Sequence, residues 1–118
     1  MADTEQGWDW PDALDALIAA PQFHRLVFEN DEVRVLDTRI GPGETVPMHI
    51  HRWPAVIYLL ASDHIVRRDI DGEVLLDTRI TGEQPEPDIG VWVGPMPPHT
   101  VENVGESEVR LLNLELKR

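Results

Sequence analysis

The sequence predicts an all-β domain, an antiparallel barrel or sandwich, preceded by a short helix. From residue 23 onward, short segments rich in valine, isoleucine and leucine alternate with polar residues at a period of two. The segments recur at a spacing of roughly ten residues with no helical pattern between them, which is typical of antiparallel barrels and sandwiches. Glycine, proline and aspartate separate them, and Asp71-Gly72 is a typical two-residue hairpin turn.

The predicted elements divide the chain into two parts. A helix is predicted over residues 13–20, with Asp9 or Trp10 as its N-cap and Pro21 at its end. Strands are predicted at residues 23–29, 33–40, 56–61, 65–70, 73–80, 91–93 and 110–116. We assign residues 1–22 to an N-terminal tail with a short helix that covers an edge or end of the sheet, and residues 23–118 to one barrel domain.

Composition and charge exclude several classes of function. The chain has 22 acidic and 10 basic residues and a formal net charge of -12, which repels phosphate backbones and anionic membranes. We therefore expect no nucleic-acid or membrane partner. The acidic N-terminus lacks the apolar core of a signal peptide, so a cytoplasmic protein is expected. The chain contains no cysteine, so a metal ion must be held by nitrogen and oxygen ligands.

Three histidines are candidate metal ligands. His49 and His51 are two residues apart, so on a strand their imidazoles leave the same face and can converge on one point. The segment around His99, rich in proline, supplies a third imidazole about fifty residues later. Residues 94–98 before it have the composition of a loop.

These residues stand in the pattern of a known family. Gly43, His49 and His51 resemble the first half of the first cupin motif, and His99 with Asn103 resembles the end of the second. The resemblance covers roughly residues 24–117 and implies a double-stranded β-helix, the jelly-roll barrel of the cupins. It also implies a homodimer, since small cupins commonly pair.

The chain departs from the cupin pattern at one metal ligand. The first motif usually has a glutamate about five residues after its second histidine, and here Val56 stands in that place. Three neutral imidazoles leave a divalent ion its full charge, and on an octahedral ion they leave positions open for substrate and dioxygen. Three-histidine sites of this kind resemble those of some cupin dioxygenases. Iron(II) is the preferred ion, with zinc, nickel and manganese as alternatives.

Further residues are candidates for a pocket beside the metal. Alternation from Val56 predicts that Tyr58 and Leu60 also face inward, where the Tyr58 hydroxyl could act in catalysis and Val56 and Leu60 line the substrate pocket. Trp53 and Trp92, near the two motifs, are candidates for the pocket walls, with core or rim packing as the alternative. Arg67 and Arg68 are adjacent on a strand, so one of them at most faces inward. An inward Arg67 could hold a substrate carboxylate, and a solvent-facing pair is the alternative.

Three functions remain open at this point. The first is a metal-dependent enzyme, preferably an iron(II) dioxygenase acting on a small molecule, because no general base other than the histidines lies near the motifs. An isomerase or hydrolase is less favoured. The second is a ligand-binding or sensing cupin with a degenerate metal site. The third is a structural or partner-binding domain that uses the N-terminal helix and the acidic surface.

Overall fold

The computed structural model describes residues 8–118 and forms two antiparallel β-sheets that face each other. The strands are β1 (His24–Glu29), β2 (Val33–Ile40), β3 (Thr45–His51), β4 (Ala55–Ala61), β5 (Ile65–Asp69), β6 (Val74–Asp77), β7 (Gly90–Val93), β8 (Met96–Asn103) and β9 (Val109–Leu116). One sheet has the order β1-β2-β9-β4-β7, and the other has the order β3-β8-β5-β6. The predicted all-β jelly-roll barrel with a short N-terminal helix is therefore confirmed.

The strand predictions are correct in most places and wrong in two. Residues 33–40 form a strand as predicted, and most other strands differ from prediction by one residue at an end. The predicted strand over residues 73–80 ends at Asp77, whose carboxylate caps a short helix α2 (Thr78–Thr81) by accepting from the Arg79 amide. Residues 96–98 of the predicted loop over 94–98 are instead the start of β8. Its prolines are tolerated because the pairing of β8 with β3 is irregular there.

The N-terminal helix is shorter than predicted and begins later. A 3₁₀ turn over Asp12–Leu14 precedes α1 (Ala16–Ala19), and Asp15 between them is in an extended conformation. Asp15 is the N-cap of α1, its side chain accepting from the Leu17 amide, so the predicted caps at Asp9 and Trp10 are wrong. The extended backbone allows Asp15 to form a parallel β-bridge with Ile50.

That bridge places the N-terminal segment along β3, which is the edge strand of the four-stranded sheet. Ile50 is completely buried there, although it points away from the face that carries His49 and His51. The segment therefore covers a sheet edge, as predicted from the sequence. Within residues 8–118 the helices are too short to cross a membrane.

The apolar core closes one end of the space between the sheets. Its fully buried members come from the end of α1, β2, β3 and β9: Ala20, Ile40, Val46 and Val109. Histidines of β1, β3 and β8 line another part of the same space, so its wall is divided between aliphatic and polar side chains. This division positions the site, because polar groups that face the barrel interior must find partners there or bind a ligand.

Candidate metal centre and cavity

Four histidines meet inside the barrel, and we refer to His24, His49, His51 and His99 as the histidine cluster. His49 and His51 leave the same face of β3, and His99 on β8 pairs directly opposite His49. The ring centroid of His49 lies 5.0 Å from that of His51 and 4.3 Å from that of His99. The three histidines predicted from the sequence are therefore neighbours, and all are at most 5% exposed.

His24 is the member of the cluster that the sequence analysis missed. Its ring centroid lies 4.9 Å from that of His49 and 5.4 Å from that of His51. The ligand atoms of these three histidines lie within 4.8 Å of one another, a grouping that can hold a metal ion. His24 pairs with Thr38 across β1 and β2, and both side chains line the barrel interior. Only the register between strands reveals this position, and no sequence motif marks it.

Every imidazole of the cluster has its Nδ1 atom bonded to a group that only accepts hydrogen bonds. The acceptors are the carbonyl oxygens of Ala20, Pro47 and Pro97 and the carboxylate of Glu115, at distances of 3.0, 2.7, 2.7 and 2.7 Å for His24, His49, His99 and His51 respectively. Each Nδ1 atom must therefore carry a proton and donate it. Each Nε2 atom of a neutral ring is left with a lone pair, as a metal ligand requires.

Burial keeps the rings neutral. Burial, reinforced by the neighbouring imidazoles, lowers the pKa of His49 to about 2. Burial, with a smaller contribution from His51, lowers the pKa of His24 to about 4, and burial also lowers the pKa of His99 to about 4. At neutral pH these three imidazoles are uncharged and can act as ligands without first releasing a proton.

A buried network connects the cluster to the N-terminal segment. Glu115, on β9 and fully buried, accepts from His51 Nδ1 with one oxygen and from Arg34 Nε at 2.7 Å with the other. The Arg34 guanidinium donates its two remaining arms to the Asp15 carboxylate at 2.9 and 3.0 Å. This arrangement fixes the orientation of His51, because Glu115 is held between His51 and Arg34, and Arg34 is held in turn by a bidentate contact with Asp15.

The histidine cluster lies at the wall of a cavity of about 330 Å³ between the two sheets. Aliphatic side chains from β4 and β7 form much of the opposite wall, and they include Ile57, Leu59, Val91 and Val93. Pro85, Glu86 and Ile89, from the loop before β7, also line it. The size and the mainly apolar lining suit a small, largely apolar molecule.

The predicted inward face of β4 is wrong. Ile57 and Leu59 line the cavity, whereas Val56, Tyr58 and Leu60 alternate with them and do not. The prediction counted alternation from Val56, which stands in the motif position of an inward-facing glutamate, but the chain leaves β3 at His51, turns, and enters the other sheet at β4. A turn breaks the alternation, so the parity of one strand does not carry over to the next. Tyr58 is therefore not placed to act in the cavity.

The two tryptophans also lie outside the cavity. Trp92 is 55% exposed and pairs with Val56 across β4 and β7, on the face of the sheet that points away from the cavity. Trp53 lies in the turn before β4 and packs against the Arg34 guanidinium, 5.0 Å from its ring centroid. It therefore covers the buried network and does not line the substrate space.

Arg67 does face inward. It lines the cavity, while Arg68 next to it points outward and donates to Glu102 at 3.0 Å. Asn103, at the end of β8, is fully buried and donates to the carbonyl oxygens of Ile40 and Ser107, so it has a structural role. Of the predicted pocket residues, Arg67 alone lies where the prediction placed it.

No family model matches the sequence, and neither does any curated protein. Solved structures do match the fold. A cupin domain from Bordetella pertussis Tohama I matches with a TM-score of 0.68 and 18% identity, over 80% of this chain and 92% of that one. An RmlC-like cupin family protein from Methanocaldococcus jannaschii matches with a TM-score of 0.57 and 11% identity, over 79% and 77%.

A third match is an enzyme. The polyketide cyclase RemF from Streptomyces resistomycificus matches with a TM-score of 0.55 and 19% identity, over 83% of this chain and 67% of that one. At these identities the comparisons establish architecture, since one fold supports many functions. The two facing antiparallel sheets, with histidines inside the barrel, and the cupin structures that match them lead to one conclusion. This protein has the double-stranded β-helix fold of the cupin superfamily.

Proposed function

We propose that the histidine cluster holds a divalent transition-metal ion and that the protein is a metal-dependent enzyme acting on a small molecule in the adjoining cavity. The observation that carries this is the set of four Nδ1 hydrogen bonds to acceptors. These bonds put the proton of each ring on Nδ1, so each Nε2 atom has a free lone pair. The four rings are buried neighbours, and none of their Nε2 atoms has a hydrogen-bond partner among residues 8–118. Metal-binding histidines typically have such acceptors on their second nitrogen.

The donor set fits a transition-metal ion of intermediate softness. Imidazole nitrogen suits zinc, iron and nickel, and manganese more weakly. Glu115 is engaged by His51 and Arg34, so it supports a ligand and does not serve as one. If His24 also ligates, a tetrahedral ion such as zinc has its positions filled, whereas an octahedral ion such as iron(II) keeps positions open. This favours iron(II) for a catalytic site.

The protein's own residues would position the reactants. When bound, iron(II) would supply chemistry with dioxygen, and zinc would supply Lewis acidity. Glu115 and Arg34 hold His51 in one tautomer and orientation. The aliphatic wall formed by β4 and β7 would bind the apolar part of the substrate and exclude water. The carboxylate that contacts the cluster, Glu115, is engaged by His51 and Arg34 and is not free to act as a general base, which favours oxygenation over isomerisation or hydrolysis.

A second candidate reaction is the cyclisation of a polyketide-like substrate. The structural similarity to the polyketide cyclase RemF and the apolar cavity favour it. The two reactions differ in their need for dioxygen, because an oxygenase consumes it and a cyclase does not. An oxygen electrode used with the iron-loaded protein and a panel of candidate substrates therefore separates them.

A non-catalytic ligand-binding cupin is the alternative class. It requires the cavity but not the metal, so it predicts that a small molecule raises the melting temperature equally with and without a chelator. An enzyme whose substrate contacts the metal predicts a smaller shift after chelation. The same thermal-shift measurement, made in both conditions, distinguishes the two.

The metal site is tested by metal analysis of protein purified without a histidine tag. We expect close to one ion per chain in the wild type and a large loss in the variants His49→Ala and His51→Ala. His64→Gln is the matched control, because His64 bonds to the Thr78 hydroxyl at 2.9 Å and lies outside the cluster. Metal content that is unchanged by the cluster substitutions, or lost equally in His64→Gln, would rule out the proposed site.

A further inference from the structure

Arg67 is unusual among the arginines of this acidic chain because it has no carboxylate partner within residues 8–118. Of the eight other arginines, Arg118 at the end of the chain stacks on Trp92, and seven lie within 4.0 Å of an aspartate or glutamate: Arg25, Arg34, Arg39, Arg52, Arg68, Arg79 and Arg110. Acidic residues outnumber basic ones by 22 to 10, so partners are plentiful. The lack of one at Arg67 is therefore informative.

The position of Arg67 makes an unpaired charge costly. It pairs with Val101 of β8 on one side and with Leu76 of β6 on the other, and these two side chains also line the cavity. Burial lowers the pKa of the guanidinium, and no acidic group opposes that effect. A cation held among aliphatic side chains loses hydration unless an anion or water replaces it.

The guanidinium is not sealed from the cavity. Among the described residues, the only side-chain nitrogen or oxygen that is both fully buried and without a hydrogen-bond partner belongs to Trp8. The nitrogens of Arg67, which have no hydrogen-bond partner among the described residues, therefore keep exposed surface, and the residue itself lines the cavity. A molecule in the cavity can reach them.

The acidic side chains of the cavity wall do not neutralise Arg67. Both oxygens of Asp63 are engaged at 2.7 to 3.0 Å: one accepts from the His64 amide, and the other accepts from the Glu106 and Ser107 amides and the Ser107 hydroxyl in the turn that follows β8. Glu86, on the loop before β7, forms no ion pair with a described residue. Arg67 is also the only cationic side chain among the described residues that line the cavity, apart from histidines.

Arg67 and the histidine cluster face the same space. His99 lies two residues before Val101 on β8, on the same face as the cross-strand neighbour of Arg67. Arg67, Val101 and His99 all line the cavity. One small molecule can therefore contact both.

We propose that Arg67 binds the carboxylate of a compact, otherwise apolar monocarboxylic acid that occupies the cavity, with the opposite part of the molecule at the histidine cluster. The planar guanidinium matches a carboxylate in two parallel hydrogen bonds. The aliphatic wall takes the remainder of the molecule. The placement of the far end rests on the proposed metal-dependent function, whereas the carboxylate site does not.

The test uses the full chain stripped of metal with a chelator, so that a carboxylate cannot bind through an ion. Hexanoate and benzoate are titrated into it by calorimetry, with hexanol and benzyl alcohol as neutral counterparts. We expect the acids to bind at least about tenfold more tightly than the alcohols, because only they pair with the guanidinium. Equal binding of acids and alcohols, or no binding of either acid at millimolar concentration, would overturn the proposal.

Two variants assign the effect to one residue. Arg67→Met keeps an unbranched, mainly apolar side chain and removes the guanidinium charge, and we expect it to weaken hexanoate and benzoate binding by about ten- to hundredfold while leaving the alcohols unchanged. Arg68→Met is the matched control, because it removes the adjacent, outward-facing charge. Equal losses in both variants would contradict a site at Arg67. Because metal analysis of the untreated protein is a separate measurement, failure of the metal proposal is distinguishable from failure of this one.

Discussion

The histidine cluster and Arg67 line the same cavity, but their polar groups are satisfied in different ways. Each imidazole is held by an acceptor from the chain itself, and Glu115, Arg34 and Asp15 extend that support to the N-terminal segment. Arg67 has no such support from the described residues. The cluster is thus organised before any ligand arrives, as a metal site requires, whereas the guanidinium gains a partner only when a ligand binds.

Among substitutions, the largest loss of stability is expected at the histidine cluster and its supporting network, where Glu115 can be removed. Glu115→Ala leaves Arg34, 5% exposed, with one carboxylate in place of two, and leaves the Nδ1 proton of His51 without an acceptor. We expect the free energy of unfolding to fall by about 3–5 kcal/mol, as measured by urea denaturation. The control is Glu102→Ala, whose partner Arg68 is partly exposed, with an expected loss of at most about 1 kcal/mol. Similar losses in both variants would contradict the supporting role of the network.

Acid should destabilise the chelated protein through the cluster. Unfolded histidines bind protons near pH 6.5, whereas folded His24, His49 and His99 bind them only near pH 4 or below. The unfolded state therefore holds more protons between pH 6.5 and 4, and stability must fall as the pH is lowered through that window. Between pH 7.5 and 5 each of these histidines should cost about 2 kcal/mol.

Urea denaturation at the two pH values measures this loss, and stability that stays constant between pH 7.5 and 5 would contradict it. The aspartates give a separate signal at lower pH. The Arg110 guanidinium beside Asp37 lowers the pKa of that carboxyl, so the stability that this pair provides is lost only below about pH 4. His49→Leu should reduce the loss above pH 4 and leave the one below it unchanged.

Removing the unpredicted ligand should weaken metal binding without abolishing it. His24→Asn leaves His49, His51 and His99 in place, and we expect the affinity for a divalent ion to fall by at least about tenfold. Competition with a chromophoric chelator measures the change, and His64→Gln serves as the control. An affinity equal to that of the wild type would show that His24 only packs against the cluster, and the site would then have three ligands.

The smallest effect on stability is expected when the charge of Arg67 is removed. Arg67→Met removes a cation that has no partner to leave behind, so the free energy of unfolding should change by less than about 1 kcal/mol or rise slightly. Arg34→Met is the contrast, because it leaves the buried carboxylates of Glu115 and Asp15 without their cation. The free energy of unfolding should then fall by about 3–5 kcal/mol. A loss at Arg67 as large as that at Arg34 would mean that Arg67 has a structural partner.

The sequence alone determined the class of fold and part of the site. The period-two pattern located most of the strands, since alternation within a strand is a local property. The spacing of His49 and His51 placed both on one face for the same reason. The cupin resemblance added His99, which the structure places opposite His49.

The tertiary structure decided what depends on register and on turns. The pairing of β1 with β2 brings His24 to the cluster, and the turn before β4 puts Ile57 and Leu59 into the cavity in place of Val56 and Tyr58. Which of two adjacent arginines finds a carboxylate likewise depends on the neighbouring strands. Such contacts join residues that are far apart in the chain. A bulge or turn can shift the register of a strand by one residue and so change which side chains face the cavity, and local sequence patterns do not specify that shift.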